Sequence, residues 1–123
     1  MSLLSQTRAA NVLLVEDDLN TRQALGTLLR RLGHHVVEAS TVAQGIDQLP
    51  GQDYAILDLS LPDGVGISVM EQIREHAWPI RVAVATGSSD DALIEHAESL
   101  EPELFLRKPI DVLSLLEWVS RPN

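Results

Sequence analysis

Three short apolar runs in this chain lead into charge. Val12-Leu13-Leu14-Val15 is followed by Glu16-Asp17-Asp18, Tyr54-Ala55-Ile56-Leu57 by Asp58, and Leu104-Phe105-Leu106 leads through Arg107 to Lys108-Pro109. Carboxylates gathered at neighbouring strand ends repel one another unless one keeps its proton or a cation enters. Such hard oxygen donors suit Mg²⁺, which keeps several waters and is usually held by one or two carboxylates together with phosphate oxygens. Lys108 then serves as a fixed point charge for a phosphoryl group. A fourth run, Val82-Ala83-Val84-Ala85, ends in Thr86-Gly87, a hydroxyl beside a residue that leaves backbone N–H and room for an oxyanion. The set suits phosphoryl transfer, where positioning and charge stabilisation do most of the work.

Short apolar runs that end in charge read as buried strands delivering their last residues to a sheet edge, the place where open α/β sheets bind ligands. Strands are expected over 12–15, 35–39, 54–57, 80–85 and 104–106. Amphipathic helices are expected over 21–32, 41–49, 67–76, 90–100 and 112–119. In the first helix Ala24, Leu25, Leu28, Leu29 and Leu32 recur at helical spacing, Arg22, Arg30 and Arg31 occupy the other face, and Gly33 stands where a C-terminal cap belongs. In the last helix two stripes compete for the core, Leu113/Leu116/Val119 and Val112/Leu115/Trp118. Five alternating β-α units predict a mainly parallel, doubly wound sheet with helices on both faces, since parallel neighbours need right-handed crossovers.

At 123 residues the chain has room for one domain, expected over residues 11–120, with a loose segment at 1–10 and no output domain after the last helix. Aromatics are only 3% against 45% hydrophobic residues, so the core must be aliphatic. A formal charge of −9 argues against direct binding of nucleic acid, whose phosphates carry the same sign. There is no run of 18 apolar residues and no basic-then-apolar N-terminus, so neither a membrane span nor export is expected, and the chain reads as cytoplasmic. The absence of cysteine rules out disulfides.

Glu16-Asp17 after the first strand, Asp58 after the third, Leu61-Pro62-Asp63-Gly64 beyond it, Thr86-Gly87 after the fourth and Lys108-Pro109 after the fifth together resemble the receiver domain of two-component response regulators. The resemblance runs from about Val12 to Val119. It implies a flavodoxin-like five-stranded sheet of order 2-1-3-4-5. Asp58 is then the nucleophile that takes a phosphoryl group from a phosphohistidine on a sensor histidine kinase or phosphotransfer protein. It implies Mg²⁺ held by Asp17 and Asp58, with Glu16 acting partly through water and the Ser60 carbonyl adding a ligand. Lys108 pairs first with Asp58 and then with the phosphoryl oxygens, Thr86 donates its hydroxyl to the phosphoryl group, and Phe105 is the switch aromatic. The surface so changed lies on the fourth helix, fifth strand and fifth helix, and a downstream effector protein or domain reads it. A homodimer on activation is an open alternative, and the Lys108–Pro109 bond, often cis in such domains, is left open between cis and trans. Such a domain catalyses only its own phosphorylation and slow dephosphorylation, so it is not counted as an enzyme. Ser60 and Ser88 occupy positions that in the family tune water access.

Several other readings compete. Asp18 is taken as a helix N-terminal residue in preference to a ligand. His34, His35, His76 and His96 lack metal-ligand spacing and are read as surface or loop residues, and Trp78 and Trp118 as packing residues. A dehalogenase-type phosphatase would need an Asp where Ser60 stands, and a flavin carrier would need a Ser/Thr/Gly-rich loop where the acids are. A nucleotide hydrolase would need a glycine-rich loop ending in Lys-Ser or Lys-Thr. The most serious rival is a phosphate-independent interaction module of the same fold, against which the intact set Glu16, Asp17, Asp58, Thr86 and Lys108 argues.

Overall fold

A computed structural model describes residues 9–121. Five strands, β1 (Asn11–Val15), β2 (His35–Ala39), β3 (Tyr54–Asp58), β6 (Arg81–Thr86) and β7 (Leu104–Arg107), form one parallel sheet in the order β2-β1-β3-β6-β7. Between β3 and β6 two short strands, β4 (Ser60–Leu61) and β5 (Gly64–Val65), pair antiparallel as a small hairpin. With the hairpin set aside, this is the expected 2-1-3-4-5 order. The helices are α1 (Leu19–Arg31), α2 (Val42–Asp47), α3 (Ile67–Glu75), α4 (Asp91–Ser99) and α5 (Val112–Ser120).

Because side chains alternate across a strand, the sheet has two separate cores. Leu13, Val15, Ala55, Leu57, Val82 and Val84 point to one face, where Val69, Met70 and Ile73 of α3 and Ala97 of α4 cover them. Val12, Leu14, Tyr54, Ile56 and Ala83 point to the other, beneath Leu25 and Leu29 of α1 and Leu115 and Val119 of α5. Trp118 packs edge-on against Tyr54 at 5.0 Å between ring centroids, and Trp78 stacks on His76 at 4.3 Å, so both tryptophans are packing residues. The chain leaves β1 toward one edge to form β2, then returns past β1 to β3. That reversal opens a crevice at the carboxyl ends of β1 and β3, where the acids stand.

Asp18 is the N-cap of α1, accepting from Thr21 N at 2.9 Å, and Gly33 follows the helix with φ +93°, a left-handed turn that suits glycine. Neither expected stripe of α5 holds alone. Leu115 and Val119 are buried, Val112, Leu116 and Trp118 flank them, and Leu113 is 66% exposed. The hairpin was not foreseen, since two-residue strands carry no readable period. Among the histidines, expected at surface or loop positions, His34 lies in the loop between α1 and β2 but is buried: it accepts from Ala10 N through Nδ1 at 3.1 Å and meets Ser120 Oγ through Nε2 at 3.3 Å. Burial, with His35 beside it, holds its pKa below the usual imidazole value. Ala10, expected in the loose segment, is buried as well, and its carbonyl accepts from His35 N. Residues 1–8 of that segment lie outside the described residues.

The α5 packing gives a direct test. Leu115→Ala should cost about 2–5 kcal/mol in denaturant unfolding, as for a fully buried leucine. Leu113→Ala should stay within about 0.5 kcal/mol of the native chain. Equal losses at the two positions would contradict the packing described here.

Candidate phosphoacceptor site

The carboxyl ends of β1, β3, β6 and β7 bring Glu16, Asp17, Asp58, Thr86 and Lys108 to one edge of the sheet. One carboxylate oxygen from each of Glu16, Asp17 and Asp58 lies within 4.8 Å of the others. Glu16 and Asp58 are buried and Asp17 is exposed, so the cluster has a closed floor and an open rim. Lys108 reaches over from the end of β7 and donates from Nζ to Glu16 Oε1 at 2.7 Å and to Asp58 Oδ2 at 3.1 Å. The other Asp58 oxygen, Oδ1, accepts from Ser60 N at 3.1 Å, which fixes the plane of the carboxylate.

The charge balance is uneven, with three carboxylates facing one ammonium. Burial is the main reason that the Glu16 carboxyl is pushed up to about 7; Asp58 adds to the rise and the hydrogen bond from Lys108 opposes it. Burial alone would lower the pKa of Lys108, but its bonds to Glu16 and Asp58 outweigh that and raise it, so the ammonium keeps its charge. This donor set suits a hard divalent cation: all oxygen, negative in excess, and open on the Asp17 side.

Local structure holds each group in place. The Lys108–Pro109 bond is cis, and Lys108 N donates to Thr86 O at 2.9 Å, tying the ends of β6 and β7 together. Thr86 is fully buried, and its Oγ1 accepts from Ser88 N at 3.0 Å, leaving the hydroxyl hydrogen available. Phe105 is half-buried, packed against the α2–α3–α4 core.

Three residues outside the expected set also shape the site. Asp63, at the tip of the hairpin, accepts from Val42 N at 2.7 Å and Ala43 N at 3.1 Å, anchoring the loop after Asp58 to the start of α2. Gly66 lies so close to the Asp58 main chain that a Cβ there would come within 1.9 Å of the Asp58 carbonyl oxygen. Any other residue would force the loop bearing Asp58 to move. Arg22 leaves its helix to bond the Glu16 carbonyl at 2.8 Å. The Leu61-Pro62-Asp63-Gly64 stretch signals a loop, but the partner of Asp63 lies about twenty residues upstream in another element. Nothing local signals the Gly66 contact or the reach of Arg22.

Comparison with known proteins places this geometry in a family. Residues 12–120 match the response regulator receiver domain, and the chain belongs to that family. A cyclic di-GMP phosphodiesterase of Thermotoga maritima is 31% identical over 101 residues, covering 82% of this chain and 27% of its own length. The acid tolerance regulatory protein ActR of Rhizobium meliloti is 32% identical, covering 92% of this chain and 60% of its own. The chain thus spans only part of these relatives. A CheY-like receiver domain from Methanospirillum hungatei superposes with a TM-score of 0.83 at 21% identity over 91% of each chain, a likeness of fold. No helix among the described residues is long and apolar enough to cross a membrane.

The raised Glu16 carboxyl predicts a pH dependence in metal-free buffer. The unfolded chain releases this proton near 4.5 and the folded chain near 7. Stability therefore falls as pH rises through that window and levels off above it, because the folded state binds the extra proton. Glu16→Gln should flatten the decline in unfolding free energy between about pH 5 and pH 8. An unchanged pH profile in that variant would contradict the assignment.

Proposed function

We propose that the protein is a phosphoacceptor switch in which Asp58 accepts a phosphoryl group from a phosphohistidine donor. The observation that carries this reading is the Lys108 ammonium held between Asp58 at 3.1 Å and Glu16 at 2.7 Å. An Asp58 carboxylate oxygen attacks phosphorus and forms the O–P bond of an acyl phosphate. The P–N bond breaks, and its electron pair stays on the donor imidazole, which then takes a proton. Lys108 follows the charge from the carboxylate to the phosphoryl oxygens. Glu16, Asp17 and Asp58, with the Ser60 carbonyl, would hold Mg²⁺, which when bound neutralises the crowded carboxylates and the transferring oxygens. The domain turns over no separate substrate, so it is a signalling component and not an enzyme in the ordinary sense.

Thr86 transmits the change. Its free hydroxyl hydrogen can bond a phosphoryl oxygen, which draws the β6–α4 loop inward and gives Phe105 room to turn from its half-buried position. Phosphate thereby biases the surface of α4, β7 and α5 toward a form that a downstream protein or domain binds better. The donor is a sensor histidine kinase or phosphotransfer protein in the cytoplasm. An apolar cleft of about 320 Å³ between α1 and the segment after β7, lined by Ala24, Leu25, Leu28, Ile110 and Val112 beside Lys108, supports protein docking next to the nucleophile. Leu19 and Leu113, at the starts of α1 and α5, are each more than half exposed.

Intact-mass analysis after incubation with Mg²⁺ and a small acyl phosphate or phosphoramidate should find one phosphoryl group on the native chain and none on Asp58→Asn. No adduct on either chain would move the reading to a phosphate-independent interaction module. Separately, millimolar Mg²⁺ should raise the melting temperature of the native chain by relieving carboxylate repulsion, and by less in Asp17→Asn. An unshifted native melting curve would count against the metal site.

A further inference from the structure

Behind the acidic pocket, on the flank formed by α1 and the edge strand β2, three charged side chains make a connected chain. Glu38 of β2 accepts from Arg30 Nη1 on Oε2 at 2.8 Å and pairs with Arg22 Nε through Oε1 at 3.4 Å. Arg30 also donates from Nη2 to the Val36 carbonyl at 3.1 Å. Arg22 turns the other way with Nη1, donating to the Glu16 carbonyl at 2.8 Å and, at longer range, to the Asp17 carbonyl at 3.4 Å. The Arg22 side chain is only 17% exposed and that of Glu38 24%, so the link is shielded from water more than an ordinary surface pair.

The sequence of α1 is arranged to allow this. Arg22, Gly26 and Arg30 recur at four-residue spacing and so share one helix face. A Cβ at Gly26 would lie 3.0 Å from both Arg30 Nη1 and Glu38 Oε2, tighter than a settled contact. The glycine, poor as a helix former, leaves the space through which Glu38 meets both arginines.

A turn carrying adjacent acids is strained by their mutual repulsion, and its carboxylates can be aimed only if its main chain is held. Arg22 does not touch those carboxylates; it holds the carbonyls of the residues that bear them. The planar guanidinium serves two carbonyls and a carboxylate at once, a division that a single ammonium cannot reproduce with the same geometry. We infer that Arg22 is a positioning residue for the Glu16 and Asp17 oxygens, anchored by Glu38, so that the Arg22–Glu38 pair tunes the divalent-cation affinity of the pocket. This inference rests on the phosphoacceptor reading of that pocket.

The test is calorimetric Mg²⁺ titration of the full chain and of four variants, with metal-free NMR shifts of the Glu16 and Asp17 backbone and unfolding curves for each. Arg22→Gln should weaken Mg²⁺ binding by about tenfold or more and move those backbone shifts, as loss of an outer partner of a metal ligand does. Glu38→Gln should weaken it less, and Arg22→Lys should recover part of the loss. Arg30→Gln breaks the other half of the Glu38 network without touching the acid turn, so it should lose stability yet keep native Mg²⁺ affinity. Native affinity in Arg22→Gln would overturn the positioning role, as would an equal loss in Arg30→Gln, which would mark general loosening of the flank. If the native chain itself takes up no Mg²⁺, the phosphoacceptor reading and this role fall together. A native chain that binds beside an unaffected Arg22→Gln refutes the positioning role alone.

Discussion

The contact on which the site depends is one ammonium shared by two buried carboxylates. With their oxygens within 4.8 Å of one another, the carboxylates of Glu16, Asp17 and Asp58 repel when ionised. Lys108 offsets part of this through its bonds to Glu16 and Asp58, while burial first, and Asp58 after it, push the Glu16 carboxyl up to about 7. The site therefore folds with its charges crowded, a donor set of the kind that suits a hard divalent cation. The sheet makes this possible by ending β1, β3 and β7 at the same edge, so that residues far apart in sequence meet without a long loop between them.

Around that contact the fold ties down the segments where charge is concentrated. The floor of the pocket rests on two aliphatic cores, one on each face of the sheet. The acid turn is tied from behind by Arg22, the loop after Asp58 is tied forward to α2 by Asp63, and Gly66 lets that loop pass close to the Asp58 main chain. In contrast Thr86 keeps a hydroxyl hydrogen in reserve, and Phe105 is only half-buried. These two residues lie on β6 and β7, the side of the sheet away from the anchored α1 and β2 flank.

Much of this was legible in the sequence because strand ends advertise themselves. A buried parallel strand is an apolar run, and a charge closing it can only sit at the sheet edge, so Glu16, Asp17, Asp58 and Lys108 could be grouped before any coordinates. The family resemblance supplied strand order but left the isomer of the Lys108–Pro109 bond open. What could not be read depends on partners far away in sequence. The burial of the loop residue His34 was hidden because its partner, Ser120, lies 86 positions on. Arg22 sat on the polar face of an amphipathic helix, where an arginine ordinarily faces water, and only the tertiary approach of β2 turns it inward. The β4–β5 hairpin has strands too short for any period, and the two candidate stripes of α5 were equally apolar until the sheet chose Leu115 and Val119.

The most direct test of the central claim is a titration with Mg²⁺ and beryllofluoride, a phosphoryl mimic, followed by backbone NMR spectra of the native chain and of Asp58→Ala. The account predicts saturable shifts in the native chain that start at Asp58 and Lys108 and extend through Thr86 to Phe105 and the α4–β7–α5 surface, with none of them in Asp58→Ala. Spectra that do not change, or that change equally in both chains, would contradict it.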